Sequence, residues 1–195
     1  MKPPLENLLN LTEEDIFKPY SLEEFIQLRL KSCILNSDGT YSSNGSVDLS
    51  NLDLTILPVK FKVVKGTFDC SDNKLTSLEG APRKVGGTFD CCNNQLTSLE
   101  GAPREVKGNF YCYNNKLTTL KGALIKVGKS FNCRNNNLTT LEGAPREVKG
   151  HFYCGHNSLT TLEGAPEHVG RGFWCDYNPV PAYKLKKTVK RSYYL

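Results

Sequence analysis

Apolar side chains recur along this chain with a fixed period of 21 residues. Each period contains a Phe and a Cys separated by one residue, as in Phe68 and Cys70, and a Leu usually follows the Cys five residues later. One apolar residue on each side of a more variable residue predicts a short strand, in which the Phe and the Cys face a core. Because a period of this length is typical of solenoids, we predict a stack of short parallel strands.

A polar residue also recurs, because an Asn follows each Cys by three residues. These residues are Asn73, Asn94, Asn115, Asn136, Asn157 and Asn178. The Asn side-chain amide can bond the backbone of the turn that ends the strand, so a stack of turns predicts a ladder of Asn side chains. The recurring Gly-Ala-Pro, for example at residues 80–82, predicts a return without helix.

The spacing resembles the leucine-rich repeat, L-x-x-L-x-L-x-x-N-x-L, in which Phe68, Cys70, Asn73 and Leu75 fill the last four marked places. Residues 75–82 are similar to the Leu-Pro-rich return of the short repeat class of bacterial effectors. The repeats also resemble tandem-repeat proteins encoded by bacteriophages. The resemblance implies a leucine-rich-repeat solenoid of about seven coils over residues 46–178. Effector ligases of this class have a catalytic domain after the repeats, for which we expect no room in the seventeen residues after Asn178.

Two segments are predicted to cap the array. Residues 1–45 are expected to form an N-terminal cap of helix plus hairpin. In it, Ser21 and Glu24 form a capping box that begins a helix through about residue 34, and Asn44-Gly45 predicts the turn of the hairpin, whose first strand covers the edge of the first coil. Residues 179–195 are predicted to be a basic C-terminal cap or tail, with a short helix at 183–190.

The net charge of +5 is concentrated in the tail. Residues 179–195 contain five basic and no acidic side chains, so the charges of all other residues sum to zero. A basic body would indicate a nucleic-acid partner, and this body is neutral, so nucleic acid is an unlikely partner. A basic tail is weaker evidence for nucleic-acid binding than a basic body. Since no apolar run approaches the ~20 residues of a membrane span and the start lacks the features of a secretory signal, we expect a cytoplasmic protein.

Six of the eight cysteines occupy the inward position of the repeat. Free Cys behaves as a small apolar residue, so we expect reduced thiols in the core rather than disulfides. Zinc ligands usually occur as close pairs separated by a loop, and the adjacent Cys91 and Cys92 would face opposite sides of a strand. We therefore expect Cys92 to face outward and to be the fast-reacting thiol.

Outward positions next to Phe and Cys line the concave face in the leucine-rich-repeat fold. The early turns place Asp69, Asp72 and Asp90 there, which are either solvated or attract a basic partner. The later turns place candidate partner-binding residues there, namely Tyr111, Tyr113, Arg134, Tyr153, His156, Trp174 and Tyr177. Exposed Tyr, Trp and Arg are frequent interface anchors, although aromatic side chains also suit outward strand positions through cross-strand pairing.

Nothing in the sequence predicts catalysis, a cofactor or a metal site. The histidines are His151, His156 and His168, and the only third metal ligand near them in the pattern is Asp176 or a neighbouring Asn. No nucleophile lies in a strained turn. We therefore predict a non-catalytic scaffold that binds a protein partner through the concave face. The phage resemblance implies that the partner is a bacterial host protein, such as a defence component that is blocked, in the host cytoplasm. The alternatives are a small-molecule or nucleic-acid binder that uses the aromatic patch and basic tail, or a purely structural role, and the oligomeric state stays open.

Overall fold

The computed structural model describes residues 28–124 and 126–180, together with the backbone of residues 193–194. The chain forms two compact units, Met1–Lys31 and Ser32–Leu195. In the described part of the first unit, Leu28 and Arg29 are helical. The predicted helix before residue 28 and the one at 183–190 lie outside the described residues. Among the described residues, no helix is long and apolar enough to cross a membrane.

Each turn of the second unit contributes strands to two sheets. We call the first the valine sheet. In spatial order it contains β1 (Cys33–Leu35), β2 (Tyr41–Ser43), β4 (Phe61–Val64), β6 (Lys84–Val85), β8 (Glu105–Val106), β10 (Lys126–Val127), β12 (Glu147–Val148) and β14 (His168–Val169).

The second is the phenylalanine sheet, built from the predicted strands. In chain order it contains β3 (Val47–Asp48), β5 (Phe68–Asp69), β7 (Phe89–Asp90), β9 (Phe110–Tyr111), β11 (Phe131–Asn132), β13 (Phe152–Tyr153), β15 (Phe173–Trp174) and β16 (Tyr193–Tyr194). Neighbouring strands are parallel and in register, so that Phe131 pairs with Phe110 on one side and Phe152 on the other. The predicted stack of parallel strands is confirmed.

The molecule is a β-solenoid with about six full turns between β3 and β15. The sequence predicted about seven coils over residues 46–178, whereas the seven strands from β3 to β15 bound about six turns. Within the described residues there is almost no helix. The valine sheet was not predicted, because Val85 and its equivalents are single apolar residues between charged and Gly residues, without the alternation that signals a strand.

The core is a continuous stack of Phe rings beside the Cys and Leu columns. The six rings from Phe68 to Phe173 are fully buried, and neighbouring ring centroids lie 5.1–5.8 Å apart. Five thiols of the Cys column, from Cys70 to Cys154, also donate to a backbone carbonyl of the next turn. Cys91 Sγ donates to the Tyr111 carbonyl at 3.3 Å, and Cys133 Sγ donates to the Tyr153 carbonyl at the same distance. The Cys column therefore fills the core and bonds the next turn.

The Asn ladder predicted from the sequence is present. Asn136 Nδ2 lies 3.1 Å from each of the carbonyl oxygens of Cys112, Cys133 and Arg134, and Oδ1 accepts the Leu117 N–H at 3.0 Å. The side-chain amide of Asn136 has two hydrogens for these three carbonyl oxygens, so one hydrogen is shared between two of them. Cys112 and Leu117 belong to the preceding turn, so each Asn joins its own turn to the one before it.

The N-terminal cap differs from the prediction in two respects. The helix does not continue to residue 34, because Cys33–Leu35 form strand β1. A hairpin exists, but it joins β1 to β2 through a turn that contains Gly39 at φ 77°. The predicted turn at Asn44-Gly45 lies between β2 and β3, which belong to different sheets. Because β2 pairs in parallel with β4 of the next turn, the chain at Asn44-Gly45 turns a corner of the solenoid instead of folding back.

At the other end, the C-terminal residues add a strand to the phenylalanine sheet. Tyr193 pairs with Phe173 and Tyr194 pairs with Trp174, in parallel. The backbone of residues 193–194 therefore lies against the last edge of the described repeats.

All eight cysteines are free thiols, but the prediction for Cys92 was wrong. Cys92 is only 3% exposed. Burial, opposed by a hydrogen bond with Tyr113 and reinforced by one with Asp90, raises its pKa to about 12. Strand alternation places Cys92 outside the core as predicted, yet its neighbours on that side cover it.

We expect Cys33 to be the fastest-reacting thiol of the native protein. It is the one cysteine that is not buried, although burial of part of its side chain raises its pKa. Since the thiolate is the reactive form, the seven buried thiols should react slowly until the protein unfolds. Thiol titration of the wild type, Cys33→Ser and Cys92→Ser tests this. Loss of the fast phase in Cys92→Ser would show that Cys92 is accessible.

Candidate functional site

Three outward columns of side chains run along the phenylalanine sheet, and together they contain all seven predicted site residues. Column one directly follows Val47 and each Phe of the repeat, and contains Asp48, Asp69, Asp90, Tyr111, Asn132, Tyr153 and Trp174. Column two directly follows each Cys and contains Ser71, Cys92, Tyr113, Arg134, Gly155 and Asp176. Column three follows one residue later and contains Asp72, Asn93, Asn114, Asn135, His156 and Tyr177.

The acidic and amide residues of column one have a structural role. Asp69 Oδ1 accepts the Ser71 N–H at 3.0 Å and its hydroxyl at 2.6 Å. Asp90 and Asn132 likewise accept the N–H two residues later, each at 3.1 Å. These Asx turns close the strand ends. The fold therefore favours Asp or Asn in column one, whereas Tyr or Trp has no acceptor that can make this local bond.

The carboxylates of the early turns are thus explained by local bonding. Asp69 and Asp90 close their strands, and Asp72 Oδ1 accepts the Asn93 amide at 2.7 Å. Burial, with smaller contributions from the charges of Asp69 and Asp72, raises the pKa of Asp90. The sequence left open solvated carboxylates or attraction of a basic partner, and this arrangement gives the carboxylates a structural role that neither interpretation included.

Column three has a left-handed backbone at every turn. The φ angles are 55° at Asp72, between 52° and 53° at the three Asn residues, 52° at His156 and 53° at Tyr177. Asn and Asp tolerate this conformation better than most residues. Asn114 Nδ2 also donates to Asn93 Oδ1 at 2.7 Å, and Asn135 Nδ2 donates to Asn114 Oδ1 at 2.7 Å. This second amide ladder was not predicted, although Asn in three consecutive turns could have indicated it.

His156 and Tyr177 interrupt the second ladder. Their rings stack with centroids 4.3 Å apart and planes 17° apart, and Tyr177 is 76% exposed. A left-handed backbone costs a non-Gly residue roughly 1–2 kcal/mol, and a bulky side chain is unusual there. Such departures concentrate at functional sites. The fold itself gives no reason for a Tyr at this position.

Arg134 is tied to Asp176 two turns away. Arg134 Nη2 lies 2.6 Å from Asp176 Oδ2, and the pair spans the intervening Gly155. A Cβ on Gly155 would lie 2.6 Å from Asp176 Oδ1, so a Gly is required for this ion pair. Oδ1 is buried and has no hydrogen-bond partner among the described residues. The sequence predicted Arg134 as a cationic contact, but the structure gives a locally neutralised pair.

The aromatic residues form two groups. Tyr111 and Tyr113 make an edge contact with centroids 6.2 Å apart. Further along, Tyr153 and Trp174 stack with centroids 6.2 Å apart. His151, which was not among the predicted site residues, lies 5.5 Å from the Tyr153 ring and accepts the Trp174 indole N–H at 3.4 Å. Its position directly before Phe152 could have indicated this contact.

A hydrogen bond with Cys92 and partial burial raise the pKa of Tyr113, so its phenol is neutral. The described residues contain no group of three or more His, Cys, Asp or Glu side chains that could hold a metal ion. Comparison with known proteins found no matching protein family and no similar curated protein.

Proposed function

We propose that this protein is a non-catalytic leucine-rich-repeat scaffold that binds a protein partner through the outward columns of the phenylalanine sheet. The observation that carries the proposal is the departure of two columns from the residues that the fold prefers. Column one exchanges Asp or Asn for Tyr111, Tyr153 and Trp174, and column three exchanges Asn for His156 and Tyr177. Most of these changes fall in the last two described turns, as expected for a localised interface.

The leucine-rich-repeat assignment is supported by the Asn ladder and by its spacing from the inward Phe and Cys. Cross-strand pairing accounts for Tyr153 with Trp174. It does not account for Tyr111, whose in-register neighbours are Asp90 and Asn132. Large aromatic side chains with polar tips contribute much of the energy of protein interfaces.

The phage resemblance leads us to propose a bacterial host protein as the partner, bound in the host cytoplasm. Eight free cysteines, seven of them buried, agree with a reducing compartment. A locally neutral Arg134–Asp176 pair between the aromatic groups favours a partner surface of aromatic and neutral polar groups over a highly charged one.

We expect Tyr153→Ala together with Trp174→Ala to abolish capture of the partner from a bacterial lysate. Truncation of an interface anchor costs at least ~2 kcal/mol of binding energy, so two anchors should remove detectable binding. The measurement is affinity capture followed by mass spectrometry. Lys74→Ala with Lys116→Ala, which alters exposed residues outside the three columns, is the matched control and should retain capture.

A second pair of variants separates binding from folding. His156→Asn with Tyr177→Asn places the residue that column three prefers at both positions, so the melting temperature should be maintained or increased while capture weakens. Full capture by this variant and by the Tyr153/Trp174 variant would show that the partner binds elsewhere.

A further inference from the structure

The solenoid places most of its basic side chains on one face. We define the valine-sheet face as residues 60–66, 83–87, 104–108, 126–129, 146–150 and 167–171, which form strands β4 to β14 and the corners after them. These segments contain twelve basic residues and three acidic ones, Glu105, Glu147 and Glu167. The basic residues are Lys60, Lys62, Lys65, Arg83, Lys84, Arg104, Lys107, Lys126, Lys129, Arg146, Lys149 and Arg171.

Ion pairs neutralise only some of these cations. Lys84 pairs with Glu105 at 3.3 Å and Lys126 pairs with Glu147 at 2.7 Å. Lys60, Lys62 and Arg146 also have carboxylate partners within 4.0 Å. The other seven cations of this face are exposed and have no carboxylate of the described residues within ion-pair distance, namely Lys65, Arg83, Arg104, Lys107, Lys129, Lys149 and Arg171. The face therefore carries a substantial excess of positive charge.

The unpaired cations are regularly arranged. Lys65, Lys107 and Lys149 occupy one column in alternate turns, and the turns between them carry Gly86, Gly128 and Gly170. A Cβ on Gly86 or Gly128 would lie 2.1 Å from the carbonyl oxygen of the preceding Lys, so every second turn must lack a side chain. The residues of this column that have a side chain are Lys. At ~4.8 Å per turn, two successive lysines of the column, which are two turns apart, lie roughly 10 Å from each other along the stack.

The zero net charge of residues 1–178 hides this separation. The carboxylates lie mainly on the other sides of each turn: Asp69, Asp72 and Asp90 on the phenylalanine sheet, and a column before the Gly-Ala corner formed by Glu79, Glu100, Glu142 and Glu163. The total charge, by which nucleic acid is an unlikely partner, does not describe this separation. The distribution of charge over the surface decides electrostatic recognition.

We propose that the valine-sheet face binds the phosphodiester backbone of nucleic acid, independently of base sequence. Regularly spaced cations along a linear stack match a linear polyanion. A membrane surface fits less well, because peripheral binding normally adds apolar side chains that enter the headgroup region. Outward positions here alternate Lys with Glu or Gly, and the exposed Ile34 and Leu35 are confined to the end strand β1.

The test compares two triple variants that lose the same charge. Lys65→Gln/Lys107→Gln/Lys149→Gln alters the valine-sheet face, and Lys74→Gln/Lys116→Gln/Lys121→Gln alters exposed lysines elsewhere. Fluorescence anisotropy is measured with labelled single-stranded DNA, duplex DNA and RNA of about 30 nucleotides, between about 50 and 200 mM salt. The wild type should bind each probe more weakly as salt rises. The face variant should lose at least ~10-fold in affinity and reduce the slope of log affinity against log salt by about two to three.

Several results would overturn the proposal. One is equal weakening by both triple variants, which would indicate a dependence on net charge alone. Absence of wild-type binding at the lowest salt is another, as is binding of phosphatidylserine vesicles without binding of nucleic acid. Loss of binding in Lys186→Gln/Lys187→Gln, with the face variant unaffected, would assign the activity to the tail. The Tyr153/Trp174 variant should retain nucleic-acid binding, so this test is independent of the protein-binding proposal.

Discussion

Phe131→Ala is expected to lower the free energy of unfolding by about 4 kcal/mol, within the range of ~3–5 kcal/mol for removal of a buried Phe ring. Phe131 is fully buried and stacks on Phe110 at 5.2 Å and on Phe152 at 5.5 Å. Its removal leaves a cavity between two in-register strands that pair on both sides, so collapse around the cavity would disturb the register of the stack. Each turn depends on its neighbours, and an interior turn has two of them.

Urea-induced unfolding followed by circular dichroism measures this loss. Phe131→Leu retains an apolar side chain and should cost much less than the alanine variant. A loss below ~1 kcal/mol for Phe131→Ala would mean that the ring column is not the main source of core packing energy.

The inward half of each turn could be predicted from the sequence, because its signal is repeated. Phe, Cys and Asn keep their spacing through six units and Leu through five. A strand of two residues, which is too short to be identified alone, can therefore be predicted. The same repetition predicted the Asn ladder. The valine sheet escaped prediction because one Val between charged and Gly residues has no period of its own within the turn.

The location of the hairpin depends on pairing that local sequence does not encode. Asp38-Gly39 and Asn44-Gly45 are both suitable turn dipeptides. The hairpin forms at the first because β2 pairs in parallel with β4, which directs the chain at Asn44-Gly45 into the other sheet. Long-range pairing therefore selected between two locally equivalent turns.

At the candidate site, the sequence predicted which side chains face outward but not how they interact. The Arg134–Asp176 pair requires a Gly in the turn between them, one turn from each partner. This relation appears only when the turns are stacked. The left-handed backbone of column three was likewise not apparent, although Asn93, Asn114 and Asn135 occupy it. Cys92 shows the same limit, since its outward position follows from alternation while its burial depends on Tyr113 in the next turn.

Asn136→Ala is expected to lower the free energy of unfolding by about 2–3 kcal/mol. It leaves the Leu117 N–H without its acceptor and removes one of the donors to each of three carbonyl groups, those of Cys112, Cys133 and Arg134. Asn178 makes equivalent bonds, to the carbonyls of Cys154, Cys175 and Asp176 and from the Leu159 N–H. It is, however, less buried than Asn136, which is 7% exposed. Water can satisfy more of the groups left by Asn178→Ala, so we expect a loss of about 1 kcal/mol there.

Asn137→Ala provides the matched control for this comparison. Asn137 is the exposed neighbour of Asn136, so its replacement should change stability by less than ~0.5 kcal/mol. Urea-induced unfolding of the three variants ranks the positions. An interior turn supports neighbours on both sides, so Asn136→Ala should also reduce the cooperativity of unfolding more than Asn178→Ala. Equal or negligible losses at Asn136 and Asn178 would mean that water replaces the ladder bonds, and that the stack is held by its apolar columns alone.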